Sequence, residues 1–286
     1  MKLEIIRNRR KFYLISAIIL VIGLGSLFIR GLNLGIDFSS GTILEIDLQQ
    51  EFTTGDIRGL ISQVELHQEP VVRQIGDSNM VQIKTETLDT EKRSQILELI
   101  NGKYQEATLE KADQVDPIFG QELARQALFA LLIANFLMVI YITWRFEFKF
   151  AIAAILALLH DVIVVLTAFS LLQIEINSSF VAAILLIVGY SINDTIVIFD
   201  RIRENLKRRK RGEGIEVIVN NSLQQTMRRS VNTSLTTLLA VGALLILGGT
   251  TLRPFSLALF LGIISGTYSS IFFASPIWVD WKNRTS

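Results

Sequence analysis

The sequence predicts a polytopic α-helical membrane protein. It has six transmembrane helices and a small α+β ferredoxin-like extracytoplasmic domain between helices 1 and 2. Three observations carry that prediction. Half of the 286 residues are hydrophobic and only 19% are charged, whereas a water-soluble domain carries about 25% charge. Six stretches are long and apolar enough to supply the roughly 20 helical residues that cross a bilayer core. A single long acidic insert separates the first stretch from the second.

The elements follow in order. Residues 1–11 are a basic N-terminus and 12–29 the first span. Arg9, Arg10 and Lys11 could also begin a signal peptide. The apolar run is long for one, however, and Arg30-Gly31-Leu32 is a poor small-residue cleavage site, so a retained anchor is expected. The later spans are expected at 123–144, 149–171, 178–200, 230–251 and 254–278, with a tail at 279–286. Pro254 suits the first turn of the sixth helix. Arg253 before it can extend to water.

Charge sets the orientation. Residues 1–11, the link after span two with Arg145 and Lys149, the segment 201–229 and the tail hold 18 of the 28 Lys and Arg. Alternating topology puts all four on one side, and the basic side is cytoplasmic. Both termini are therefore expected inside, and the insert 30–122 outside. That insert carries 8 Lys/Arg against 17 Asp/Glu.

Within the insert, Gly41 to Leu48 alternates as a strand does. Thr54 to Val64 places Ile57, Leu60, Ile61 and Val64 at helical spacing, with Thr53 or Thr54 as the cap. Val71–Ile75 and Met80–Lys84 read as strands around a Gly76-Asp77-Ser78-Asn79 turn. Thr90–Ile100 reads as a helix and Tyr104–Val115 as a final strand. The order β-α-β-β-α-β is the ferredoxin-like pattern. His67 has no cysteine or second histidine near it, so no metal site is expected there.

Ionisable groups inside a span are costly and ask for a partner or a role. His160 and Asp161 fall near the middle of span three. Asn193 and Asp194 fall one to two turns inside span four. These four are candidates for proton coupling, with packing pairs as the alternative. Asp200, followed by Arg201 and Arg203, suits an interfacial salt bridge or cap. Gly262 and Gly266 make a small-xxx-small face in span six, and Gly189 a small site in span four; such residues permit close helix approach.

Segment 201–229 is basic, cytoplasmic and amphipathic. Lys207, Arg208, Arg209, Lys210 and Arg211 form an unbroken charged run suited to anionic lipid. Ile215, Val217, Ile218, Val219, Leu223 and Met227 form an apolar face, as in a helix lying on the membrane surface.

The chain has no cysteine, which excludes disulfides, thiolate metal sites and cysteine nucleophiles. GxxxxGK[ST], HExxH and GxSxG are all absent. No enzyme class fits and no cofactor is implied. Work done by such a chain would draw on an ion gradient or a partner.

Five features resemble one family. They are Gly35-Ile36-Asp37-Phe38-Ser39-Ser40-Gly41 outside span one, His160-Asp161, Gly189-Tyr190 through Asn205, Arg228-Arg229-Ser230 through Ser234, and Leu252-Arg253-Pro254-Phe255. Together they resemble the SecF side of the SecD/SecF family of bacterial protein-export membrane proteins, within the resistance-nodulation-division superfamily. The family form of the first motif is GIDFxGG, and here Ser40 stands where glycine is common.

The resemblance implies half of a resistance-nodulation-division-type bundle in the cell inner membrane. It implies a separate SecD partner, association with the SecYEG translocon and SecA, and preproteins as substrates. YajC and membrane-insertion factors are further implied partners. Use of the proton-motive force would run through Asp194, with Asp161 a weaker candidate. A non-transducing scaffold that stabilises the translocon, and a small-molecule or lipid exporter of the same superfamily, remain the alternatives.

Overall fold

A computed structural model describes residues 4–75 and 78–284, so Gly76 and Asp77 of the expected turn lie outside the described residues. In chain order the elements are α1 (Arg9–Arg30), α2 (Ile36–Ser39), β1 (Gly41–Asp47), α3 (Thr54–Ile61), β2 (Val71–Gln74), β3 (Met80–Thr85), α4 (Thr90–Lys103), β4 (Thr108–Val115), α5 (Pro117–Arg145), α6 (Phe148–Leu172), α7 (Ser178–Lys207), α8 (Ile215–Leu247), α9 (Gly249–Ser269), a π-helical turn (Ser270–Ala274) and α10 (Ser275–Arg284). Six helical paths are long and apolar enough to cross a membrane: α1, α5, α6, α7, α8 and the continuous path from α9 to α10. The chain divides into a bundle, Met1–Asn33 with Phe129–Ser286, and a domain, Leu34–Leu128.

The domain is an antiparallel sheet of order β2-β3-β1-β4. This is the split arrangement that a β-α-β-β-α-β chain adopts in the ferredoxin-like fold. Alternation works as expected: Val81, Ile83 and Thr85 of β3 are buried while the residues between them are not. Leu44, Ile46, Ile57, Ile61, Ile83, Ile96 and Ile100 meet in one core. Helix α3 is capped by Thr53, whose Oγ1 accepts from the Asp56 N–H at 3.1 Å. Asp89 caps α4 by accepting from the Lys92 N–H at 2.8 Å. Helix α4 runs on to Lys103, so β4 begins at Thr108 rather than Tyr104; Tyr104 is buried in the core instead.

The Gly35–Gly41 motif forms the single turn α2 and then a sharp entry into β1. Gly41 has φ +121°, and a Cβ there would collide with the Thr85 carbonyl. Ser40 sits at φ 59° and ψ 173°, a region that is essentially glycine-only. This backbone requirement accounts for the glycine common at that position in the family form.

In the bundle the membrane-surface helix expected over 215–229 is not a separate element. Helix α8 runs unbroken from Ile215 into the fifth span, and α7 continues to Lys207. Ile218, Val219, Ser222, Leu223 and Thr226 are buried. Asn205 of α7 donates to Ser222 Oγ at 2.8 Å and to Gln225 Oε1 at 3.0 Å. The Ile6 N–H donates to Asn220 Oδ1 at 3.1 Å, and Arg9 pairs with both Glu216 and Asp280. Ile218, Val219 and Leu223 of the apolar face are thus covered by protein, because α7 and the N-terminal segment extend alongside them, while Val217 stays exposed.

Two further boundaries differ from expectation. Helices α8 and α9 join at Gly248-Gly249, with Gly249 at φ +73°. Arg253 and Pro254 consequently lie within α9, and Pro254 is past its first turn. Small residues also matter where none were singled out. A Cβ on Gly23 of α1 would collide with Thr167 of α6, and Ser26 shares a 2.8 Å hydrogen bond with Ser170.

Candidate functional site

The centre of the bundle is polar. Asp161 on α6 is fully buried. Its Oδ2 accepts from Ser191 Oγ of α7 at 2.6 Å and from Ser269 Oγ of α9 at 2.8 Å. Its Oδ1 accepts from Ser265 Oγ at 2.6 Å and lies 3.3 Å from His160 Nδ1. Three helices therefore meet on one carboxylate. Ser265 and Ser269 reach it because residues four apart share a helix face. Thr195 and Ser270 share a 2.8 Å hydrogen bond beside the cluster. The His160 ring packs on Phe273 and Tyr268, and its buried Nε2 has no hydrogen-bond partner among the described residues.

Close approach makes this seam possible. A Cβ on Gly262 would collide with Ile187, and one on Gly266 would come to 3.0 Å from the Ser191 Cβ. Both glycines press α9 onto α7. Gly189 does not act this way: a Cβ there meets nothing within 4 Å among the described residues.

Asp194 is placed differently. It is three residues beyond Ser191 yet lies beside Arg229 and Ser230 of α8 rather than beside Asp161. Its buried Oδ2 has no hydrogen-bond partner among the described residues. Nearby, Tyr190 donates to Ser234 and Thr237 of α8 at 3.5 and 3.4 Å. Asn193, by contrast, is exposed on the outer side of α7, as are Asn232 and Thr233 of α8. The expected Asn193-Asp194 pair therefore splits, one side chain facing in and the other out.

At the charged end of these helices, Asp200 lies 3.8 Å from Arg145 and 3.9 Å from Arg203, while Arg201 pairs with Glu204 at 2.8 Å. Arg253 is exposed in the first part of α9, and Asp37 is half-buried in α2 beside its cap Gly35. The serine donors around Asp161 stand in the small-residue face of span six and in the hydroxyl-bearing stretch beside Asp194, and the sequence carries no direct sign that they converge on one carboxylate. An indirect signal was available: 191/195 and 265/269 are hydroxyl pairs spaced by one helical turn. Chemically, the site can hold one carboxylate fully satisfied and a second one incompletely satisfied.

Comparison with known proteins decides the family. Residues 95–284 match the family described as protein export membrane protein SecD/SecF, C-terminal, and residues 25–51 match the SecD/SecF GG motif. The chain belongs to the SecD/SecF family. It is similar to the protein translocase subunit SecF of Alicyclobacillus acidocaldarius, with 42% identity over 99% of this chain and 94% of that one. It is 40% identical to the protein translocase subunit SecDF of Bacillus subtilis, over 99% of this chain and 38% of that one. A crystal structure of SecDF from Thermus, a translocon-associated membrane protein, matches with a TM-score of 0.91 and 38% identity, covering 99% of this chain and 39% of that chain. The chain thus spans about two-fifths of the SecDF chains it matches. The bundle is half of a resistance-nodulation-division-type arrangement, and these relatives are transport components by name. Within this SecD/SecF frame, the GG-motif match spans the Ser40 and Gly41 turn.

Proposed function

We propose that this chain serves Sec-pathway protein export as the SecF-side subunit of a complex with SecD, using the proton-motive force to promote passage of preproteins through SecYEG. SecA would push from the cytoplasm, and YajC and membrane-insertion factors would be accessory partners. Both termini would lie in the cytoplasm and the domain outside the inner membrane. The fused SecDF relatives support a SecD half as the missing neighbour.

One observation carries the coupling role. Asp194 is a buried carboxylate with an unpartnered oxygen, on the α7–α8 side whose outer surface exposes Asn193, Asn232 and Thr233. Polar side chains facing outward from membrane helices call for protein rather than lipid. A second half-bundle there would shield Asp194 and supply its remaining contacts. Protonation would then favour one packing of the two halves over the other. The gradient supplies about 2.3 kcal/mol per charge per 100 mV, enough to bias such a two-state element. Asp161, already satisfied by three hydroxyls, fits a fixed hub better than a carrier.

The test is gradient-dependent release of a secreted preprotein from membrane vesicles holding SecYEG, SecA and SecD with either wild type or Asp194→Asn. Loss of gradient dependence with assembly intact is the expected result. Unchanged release would leave the scaffold reading in its place.

A further inference from the structure

The end of α5, the last turns of α7 and the first half of α8 line an open cleft of about 460 Å³. Five cations line it: Arg145, Arg201, Arg203, Lys207 and Arg229. Only two carboxylates do, and both are already engaged. Asp200 has Arg145 and Arg203 as neighbours, while Glu204 pairs with Arg201 and with Arg208 at 3.0 Å. The side chains of Lys207 and Arg229 make no ion pair or hydrogen bond among the described residues. Arg229 lies close enough to Asp194 to feel its charge.

A cleft lined by an excess of one sign of charge concentrates counter-ions within it. Guanidinium forks match the oxygens of a phosphate group, and an ammonium adds a point charge. The depth is right for a lipid phosphate. Arg145 follows the exposed Trp144 at the end of α5, and tryptophan marks the level of the headgroups. The basic run itself is a poorer site: Arg208 is held by Glu204, and Arg209 donates to the Glu213 carbonyl at 2.7 Å.

We propose that this cleft is a phosphate-group site, filled by the headgroup of an anionic phospholipid. The cleft continues the α7–α8 face that the proposed SecD half would cover, so the site is tested on this chain alone, where lipid retention and preprotein release are separate readouts. The full chain is reconstituted in nanodiscs of phosphatidylcholine with or without phosphatidylglycerol, and retained lipid is counted by native mass spectrometry. Wild type is expected to retain phosphatidylglycerol and not phosphatidylcholine. Lys207→Gln removes one charge-assisted contact and is expected to lower retention about tenfold, and Lys207→Glu to lower it further. A Lys210→Gln, Arg211→Gln double variant is expected to bind as wild type does. Melting of each variant shows that the fold persists.

Titration with inorganic phosphate distinguishes the two sources of the same chemistry. Displacement of lipid by millimolar phosphate would assign the site to the soluble ion as well. Equal retention of phosphatidylcholine, or loss of lipid in the 210/211 variant but not in the Lys207 variants, would overturn the proposal.

Discussion

The domain and the bundle are held together in opposite ways. The domain hides a continuous aliphatic core behind a sheet and two helices, and its ion pairs Asp56–Lys103 and Glu86–His67 are at its surface. The bundle hides two carboxylates, a histidine and a shell of hydroxyls among aromatics such as Phe150 and Trp278, and turns many leucines, isoleucines and phenylalanines outward. Solvent explains the inversion. In water, removing apolar surface drives folding. In lipid that drive is absent between helices, so close packing and interhelical hydrogen bonds hold the spans together.

Substitutions can break this contrast, and hydrogen exchange read by mass spectrometry on the intact chain separates the two regions. The largest loss is expected from Ile83→Ala in the domain, about 3 kcal/mol by creation of a core cavity. Exchange should rise in β1, β3, α3 and α4 but not in α6 or α7. Next is Asp161→Ala, which removes the acceptor of three serines at about 1 kcal/mol each, or roughly 2–3 kcal/mol together. Protection should fall in α6, α7 and α9, while Asp194→Ala in the isolated chain should change it far less. If the two aspartate variants behaved alike, the division between a satisfied and an incomplete carboxylate would be wrong.

A gain is expected from Ser40→Gly. It relieves a glycine-only backbone conformation, worth about 1 kcal/mol after the entropy glycine loses on folding. Slower exchange around α2 and β1 is the readout.

The smallest effect is acid sensitivity of the domain. The hydrogen bond from Thr53, then Lys103, holds the Asp56 carboxyl below its usual range. The hydrogen bond from His67 does the same for Glu86. A depressed carboxylate stabilises fully above its unfolded value, about pH 4. That stabilisation is lost as pH falls through the lower folded value. Exchange corrected for intrinsic pH dependence should therefore rise in α3 and α4 below about pH 4. A domain equally protected on both sides of that range would remove these pairs from the contrast.

Much of this was legible in the residues. Alternation in β3 and the uncharged runs of the spans mark elements because each reports burial or lipid contact directly, whereas β1 is buried on both faces from Gly41 to Leu44. Helix ends were less legible. Hydropathy changes at the membrane surface, whereas a helix continues wherever a neighbour covers it, as α7 and α8 cover each other beyond Asp200. The hydroxyl shell of Asp161 was hidden for a different reason. Serine in an apolar helix is equally a spacer and a donor, and only the approach of α9 through Gly262 and Gly266 decides which. Asp194 was identified from sequence as an acid in a span, but its division from the Asp161 cluster depends on which neighbour each face of α7 meets.

The π-helical turn at Ser270–Ala274 has a consequence for everything after it. A wider turn accommodates one extra residue without lengthening the hydrogen-bond ladder by a full step. That shifts the phase of the remaining helix by about 100° relative to uninterrupted α-helix. Ser269 and Ser270 can then face Asp161 and Thr195 while Trp278 still points into the bundle and Asp280 still meets Arg9 and Tyr13. One residue of slack reconciles two angular settings that a straight helix would force apart: one for the polar hub, the other for the clasp that ties the first helix to the last.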